Sequence, residues 1–333
     1  MPFYAKTSFC PPLKNAFPKI IITFASVKGK VVSTAARIAT CTCMLAMTAC
    51  TDTDSTGQPD IEVMNAYTPV KDQGDNPTCW AYAMLAAIET EHIMKGDSVN
   101  LSPKYALRAL ISDSPPTMRG TAYTLIRTVQ KHGIVPYDAY PDRGNVDYTR
   151  LLQMASPENT GNLDIALGPA PKGTYMYGMK YSPQEFARSV CAPDEYIGLT
   201  TDTQQPYHTM ITPDIPDNYA QDQYYNIPQD EMIATIDNAV RQGHGVCWEG
   251  RAKLTRNNRD SHAMAIVGLA RDSSGKRLYI MKNSWGQKSG FIYVQEKDIR
   301  QHTDAVYLPK KCTDIGKVCR RQSFFHKNTC TEQ

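Results

Sequence analysis

Residues 72–92 read "DQGDNPTCWAYAMLAAIETEH". A glutamine stands six positions before a Cys-Trp pair, and an alanine-rich helical pattern begins at that pair. Pro77 discourages an earlier helix start, Thr78 suits the N-cap, and Gly96 supplies a stop, so the pattern predicts a helix from Cys79 to Lys95. Its periodicity puts Trp80, Met84, Ala87, Ile88 and Met94 on one buried face and leaves Glu89 and Glu91 to water. A thiol at a helix N-terminus is either a small buried hydrophobe or a nucleophile whose thiolate form the helix end favours. The rest of the chain decides between them.

Two further helical patterns follow, "SPKYALRALI" (102–111) and "TAYTLIRTVQKHG" (121–133). Beyond Pro141 the chain reads as irregular up to "SPQEFARSV" (182–190). "PQDEMIATIDNAVRQGHG" (228–245) reads as a helix, with Asp230 and Glu231 in its first turn. Short β-type runs come next: "GVCWEG", "HAMAIVGLARD", "RLYIMKNSWG" and "FIYVQ". Helices first and antiparallel strands later predict an α+β protein of two lobes, with a cleft between them.

That cleft is where a catalytic set can assemble. His262 opens a β-type run, and Asn283 ends the next one in "KNSWG", able to accept a hydrogen bond from the imidazole and hold its orientation. Trp285 is placed to shield that bond from water. Gln73 can join the backbone N–H of Cys79 in donating to an oxyanion. A lone Cys at a helix start, a lone His before a strand and an Asn-Ser-Trp-Gly turn are each more often structural than catalytic. Together, their order, local residues and predicted secondary structure all agree on a nucleophile with its base.

The set resembles the papain-like cysteine peptidases, in which a Gln-x5-Cys-Trp segment starts the central helix and His and Asn come from the β-rich lobe. The family signature expects Cys-Gly-Ser/Ala-Cys-Trp/Tyr with the His about 130 to 150 residues downstream. Here the segment is "NPTCW", and His262 lies 183 residues after Cys79. "HGIVPYDAYP", "LDIALGPAP", "YSPQEFARSV", "VRQGHGVCWEG" and "SHAMAIVG" are similar to the bleomycin hydrolase and aminopeptidase C branch, from about Tyr67 to Leu308. The resemblance implies a papain-like two-lobed fold, with Cys79 as nucleophile, His262 as general base and acid, Asn283 as orienting residue and Gln73 as oxyanion donor. It also implies that Gly120 lines the substrate cleft and that Ala263 and Trp285 lie beside bound substrate. No cofactor or metal is implied. Pro77 and Thr78 depart from the small approach to the nucleophile, and the chain is shorter than the hexamer-forming cytosolic members, so exo- or endopeptidase action and oligomeric state stay open.

Composition sets the other limits. Residues 1–49 carry six Lys/Arg and no acid, so the remainder holds 30 basic against 33 acidic residues, which gives no electrostatic reason to expect nucleic acid. "RIATCTCMLAMTAC" (37–50) has the anatomy of an export signal, too short to span a membrane, and Met47-Thr48-Ala49-Cys50 resembles a bacterial lipobox. The expected domains are therefore an export signal (1–49, with a true start near Val27), a tether (50–60) lipid-anchored at Cys50 in the cell envelope, a peptidase domain (61–310) acting on peptide or protein substrates, and a basic tail (311–333). In that tail Cys312, Cys319 and Cys330 with His326 match no zinc pattern and read as disulfide or plain thiols. His92, His132, His208, His244 and His302 read as surface or packing residues, and Trp248 as core. The competing readings are a lipoprotein that binds peptides without turnover and an acyltransferase using the same thioester.

Overall fold

Cys79–Met94 form helix α1, which Lys95 caps and Gly96 (φ +97°) ends. In this computed structural model residues 58–113, 117–142, 146–154, 161–176, 178–251 and 261–313 are described. The export signal, Cys50, most of the tether, Cys319, His326 and Cys330 lie outside them. Among the described residues no helix is long and apolar enough to cross a membrane.

Helix α1 has no single wet face, because every residue from Trp80 to His92 is buried. On one side it packs against α2 (Pro103–Asp113) and α3 (Ala122–His132), on the other against the sheet. Gly133 (φ +84°) turns the chain after α3 where a Cβ would stand 2.3 Å from the Pro183 carbonyl carbon. The stretch read as irregular contains helices α4 (Tyr148–Met154) and α5 (Gly161–Leu167) and a small hairpin of β2 (Thr174–Met176) and β3 (Met179–Tyr181). They are too short for a legible period. Helix α6 (Pro183–Val190) closes this lobe behind a capping box in which Ser182 and Glu185 bond each other's backbone N–H.

The second lobe adds β4 (Tyr196–Thr200), β5 (Thr209–Ile211), β6 (Tyr224–Asn226), α7 (Gln229–Arg241), β7 (Val246–Gly250), β8 (His262–Arg271), β9 (Arg277–Lys282), β10 (Phe291–Gln295), α8 (Glu296–His302) and β11 (Thr303–Pro309). Its sheet runs β10-β9-β8-β7-β11-β4-β6-β5, antiparallel except between β4 and β6. Strand β8 is long enough to pair twice along one edge. His262–Ile266 pair with β7, and Gly268–Arg271 pair with β1 (Asp60–Met64), which starts inside the expected tether and was not legible as a strand. Ile233, Ile236 and Val240 of α7 pack on Trp248, Ile266 and Met281 to make this lobe's core. The sheet meets α1 closely, since a Cβ on Gly245 would stand 2.0 Å from the Ala87 carbonyl oxygen.

That packing corrects the reading of α1. Glu89 and Glu91 are buried, at 0% and 1% exposed, whereas Met94 is exposed. Both carboxylates are paired. Glu89 accepts from Lys71 Nζ (2.7 Å), the Leu101 N–H (2.6 Å) and the Thr68 hydroxyl, and Thr68 Oγ1 in turn accepts from buried Lys282 Nζ at 2.8 Å. Glu91 binds Lys95, His244 and Lys311 at 2.7–3.0 Å, which hold its carboxyl well below the usual range despite burial. Thr78 sits at the N-cap position without making a side-chain cap, and its Oγ1 is buried without a partner among the described residues. His92 bonds Asp97 and the Val190 carbonyl oxygen, and Trp248 is core.

Burial lowers the Lys282 ammonium to about 7, partly offset by Glu89. The unfolded lysine keeps its proton to about 10.4, so folding releases a proton between these values and Lys282 gains stability as pH rises through that window. Wild type should therefore gain on Lys282→Met by up to about 1.4 kcal/mol per pH unit from pH 7 to 9 in paired urea unfolding curves. A pH-independent difference would show that Lys282 keeps its proton in the folded protein throughout that window.

Candidate active site

The N-terminus of α1 meets the N-terminus of β8. Cys79, the first residue of α1, keeps its own backbone N–H outside the helical ladder and points its dipole end into the space between the lobes. His262, the first residue of β8, is 4% exposed. Both line one cleft of about 380 Å³, together with Gln73, Gly120, Ala263 and Trp285. All the residues singled out from sequence inside the described region are thus brought together. Asn283 sits one layer behind, just past the end of β9.

His262 Nε2 donates to Asn283 Oδ1 at 2.9 Å. The same oxygen accepts the Ser284 N–H at 2.8 Å, so Asn283 is held as an acceptor from two sides. An amide oxygen can only accept, which fixes the proton on Nε2 and leaves the Nδ1 lone pair as the basic site. Trp285 stacks on the imidazole at 4.7 Å between centroids and 23° between planes. It covers one face of the ring.

Gln73 is tied to the same strand end. Its N–H donates to the Ser284 carbonyl at 2.8 Å, its Oε1 accepts from the Ser284 hydroxyl, and its Nε2 donates to the Asn76 carbonyl at 2.7 Å. One amide hydrogen of Nε2 is thereby committed, and the second remains for the cleft. Asn76, which sequence reading passed over, staples this loop. Its amide donates to the carbonyls of Gln73 and Val146 at 2.8 Å, and its Oδ1 accepts the Tyr148 N–H at 2.9 Å. Trp80 fixes the floor by donating from Nε1 to the carbonyls of Pro77 (3.1 Å) and Met118 (3.0 Å), which orients the Arg119-Gly120 wall.

Enclosure dominates the electrostatics. Burial pushes the Cys79 thiol up to about 11, with the Ala263 and Trp80 N–H groups pulling the other way and the Glu249 carboxylate adding to the rise. Burial also lowers the His262 imidazole, and its bond to Asn283 only partly compensates. Burial thus weighs against charging either group in the empty cleft. Glu249 is the functional-site residue sequence reading missed. Its signal was an acid in the otherwise apolar run "GVCWEG", and burial raises its carboxyl to about 8. No group of three or more His, Cys, Asp or Glu among the described residues is arranged to hold a metal ion.

Comparison with known proteins agrees with this geometry. The model of the papain family cysteine proteases matches residues 58–309. The chain is 25% identical over 227 residues to fruit bromelain of Ananas comosus, covering 68% of this chain and 50% of that protein. It is 26% identical over 232 residues to macrodontain-1 of Ananas macrodontes, covering 68% and 80%. It thus spans about half the length of fruit bromelain. The solved structure of PepW from Lactobacillus rhamnosis superposes with a TM-score of 0.59 at 16% identity, covering 80% of this chain and 86% of that one, a likeness of fold.

Removing the indole should let water reach the imidazole. In Trp285→Ala the His262 pKa should rise toward the ordinary value of about 6.5, read by NMR titration of the labelled ring. An unchanged pKa would show that the β8 surroundings alone set the shift.

Proposed function

The chain belongs to the papain family of cysteine proteases, and we propose that it hydrolyses peptide bonds through a thioester formed on Cys79. The observation that carries this reading is the joining of a helix-terminal thiol to a His–Asn pair from the other lobe in one cleft. His262 Nδ1 takes the proton from Cys79 Sγ, and the thiolate attacks the substrate carbonyl carbon. The oxyanion so formed lies against the backbone N–H of Cys79 and the free amide hydrogen of Gln73. Its collapse expels the amine, which leaves with the proton held on Nδ1. Water then gives a proton to Nδ1 and attacks the thioester, and Cys79 departs as thiolate and is reprotonated. Asn283 does not react; it holds the Nε2–H, so that Nδ1 is the nitrogen left to take a proton.

The stretches named in the sequence support the bleomycin hydrolase and aminopeptidase C branch. The segment around Cys50 supports export and a lipid anchor in the cell envelope, with a tether leading to β1. Mass spectrometry of the mature N-terminal peptide should find a diacylglyceryl group on Cys50. A mature protein that still contains residues 1–30 would end both the export and the anchor readings.

Hydrolysis of a mixed peptide substrate should vanish in Cys79→Ala and fall by more than about 10³-fold in His262→Ala. Gln73→Ala should cost about 10²- to 10³-fold in kcat, as for a lost oxyanion donor. Asn283→Ala should cost less than His262→Ala. Alkylation of Cys79 by iodoacetamide should shift its inflection to higher pH in His262→Ala, because the imidazole no longer accepts the proton. Full hydrolysis by Cys79→Ala would overturn the assignment.

A further inference from the structure

The cleft wall facing Cys79 is richer in acidic groups than a neutral peptide needs. Four carboxyl groups line it, those of Asp75, Asp217, Glu249 and Asp304, and among the described residues of the lining Arg119 is the one cation. Burial holds the Glu249 carboxyl up, and Asp217 and Asp304 both add to that rise. Like charges brought together in a half-enclosed space repel, and the repulsion is relieved by an opposite charge or by protonation.

The described residues supply little of that opposite charge. Glu249 bonds only neutral donors among the described residues. Oε1 accepts the Ala122 N–H at 2.7 Å and Oε2 accepts the Tyr307 hydroxyl at 2.8 Å, which leaves a lone pair on each oxygen. These bonds fix the carboxylate rigidly, between the first turn of α3 and the middle of β11. Asp304 holds one oxygen, Oδ2, shut off from solvent and without a hydrogen-bond partner among the described residues. Its other oxygen is 3.7 Å from Arg251, whose side chain is mostly in water. Asp217 is 3.6 Å from Arg119, also mostly in water. A buried polar atom left unsatisfied in the wall of a binding cleft marks a place that a ligand atom can complete. The missing partner is a donor carrying positive charge.

We propose that Glu249, Asp304 and Asp217 form a subsite for a cationic group of the substrate, so that the enzyme selects peptides presenting an ammonium or guanidinium beside the scissile bond. The inference rests on the peptidase reading of the cleft and adds its substrate class. Two sources carry that chemistry: a lysine or arginine side chain, and the free α-ammonium of a peptide N-terminus. Glu249 lies directly across the β7–β8 pairing from Ala263, next to His262, so the bound charge sits within a residue or two of the bond being cut. The carboxylates do not touch the reacting atoms. They choose which peptides reach them.

The test uses the full chain and hexapeptides in which lysine, arginine, norleucine or Nε-acetyl-lysine is moved through each position, with the N-terminus free or acetylated. At one position lysine or arginine should exceed both norleucine and Nε-acetyl-lysine by about ten-fold or more in kcat/KM, or a free N-terminus should exceed an acetylated one by as much. A preference that survives acetylation identifies a side chain, and one that acetylation removes identifies the α-ammonium. The ratio of charged to neutral substrate should collapse toward one in Glu249→Gln and Asp304→Asn, and the wild-type ratios stand as a test even if a variant fails to fold. Binding of the same labelled peptides to Cys79→Ala, read by fluorescence anisotropy, separates the two readings. Ten-fold tighter binding of the charged peptide without wild-type turnover keeps the subsite and removes the peptidase. Turnover with neutral and charged peptides cleaved and bound alike at every position, whether or not acetylated, keeps the peptidase and overturns the subsite.

Discussion

A sixteen-residue helix buried on nearly every side has no water with which to satisfy its charged side chains, so these find partners inside the protein, while the Thr90 hydroxyl has none among the described residues. In α1 the partners come from everywhere the active site needs to be anchored. Glu89 reaches Lys71 and Thr68 in the strand-to-helix approach that carries Gln73, and through Thr68 it reaches Lys282, the residue before Asn283. Glu91 reaches His244 at the start of β7 and Lys311 at the end of the described chain. Breaking one partner of such a buried network costs about 3–5 kcal/mol, so the loop of Gln73, the helix of Cys79 and the strand end of Asn283 are held in one frame. The polar residues of the central helix act as lobe ties.

This dependence explains what could be read from residues alone. The placement of Cys79, His262 and Asn283 was legible because each sits at an element boundary marked by local chemistry, a proline before a helix, a histidine opening an alternating run, a turn after "MKN", and Gln73 was legible by its six-residue spacing from Cys79. The fate of Glu89 and Glu91 was not, because a period of 3.6 assigns one wet face to a helix and α1 is covered on both sides. Strand β1 escaped notice for a related reason. Asp60–Met64 alternates polar and apolar residues over only its first four positions, too short a run to stand out beside the polar stretch before it, and it pairs with the second half of β8. Helices α4 and α5 are two turns each, below the length at which a period can be told from chance. Glu249 was hidden by its neighbours, since an acid in an apolar run looks like the outward residue of a strand until β11 and α3 close over it.

The same enclosure governs the chemistry. Burial raises the Cys79 thiol and lowers the His262 imidazole, so the surroundings oppose a standing ion pair in the empty cleft. The helix end, the Ala263 and Trp80 N–H groups and the Asn283 bond work in the other direction without overcoming it. What the architecture secures is a proton path: the imidazole Nε2–H is fixed by Asn283, Nδ1 is left to take a proton, and the stacked Trp285 covers one face of the ring. The thiolate then need exist only as long as the carbonyl carbon is there to receive it.

The acidic wall bears on that step. The Glu249 and Asp217 carboxylates add to the rise of the Cys79 thiol, because a negative sulfur formed nearby would meet their field. A cation seated among them cancels that field at the moment substrate is bound, which lowers the energy of the thiolate only in the occupied cleft. A neutral peptide in the same cleft leaves the repulsion in place. Selection for charge and activation of the nucleophile would then be one electrostatic event, and a cationic substrate would gain in kcat as well as in KM, because the interaction grows as charge develops on sulfur and on the oxyanion.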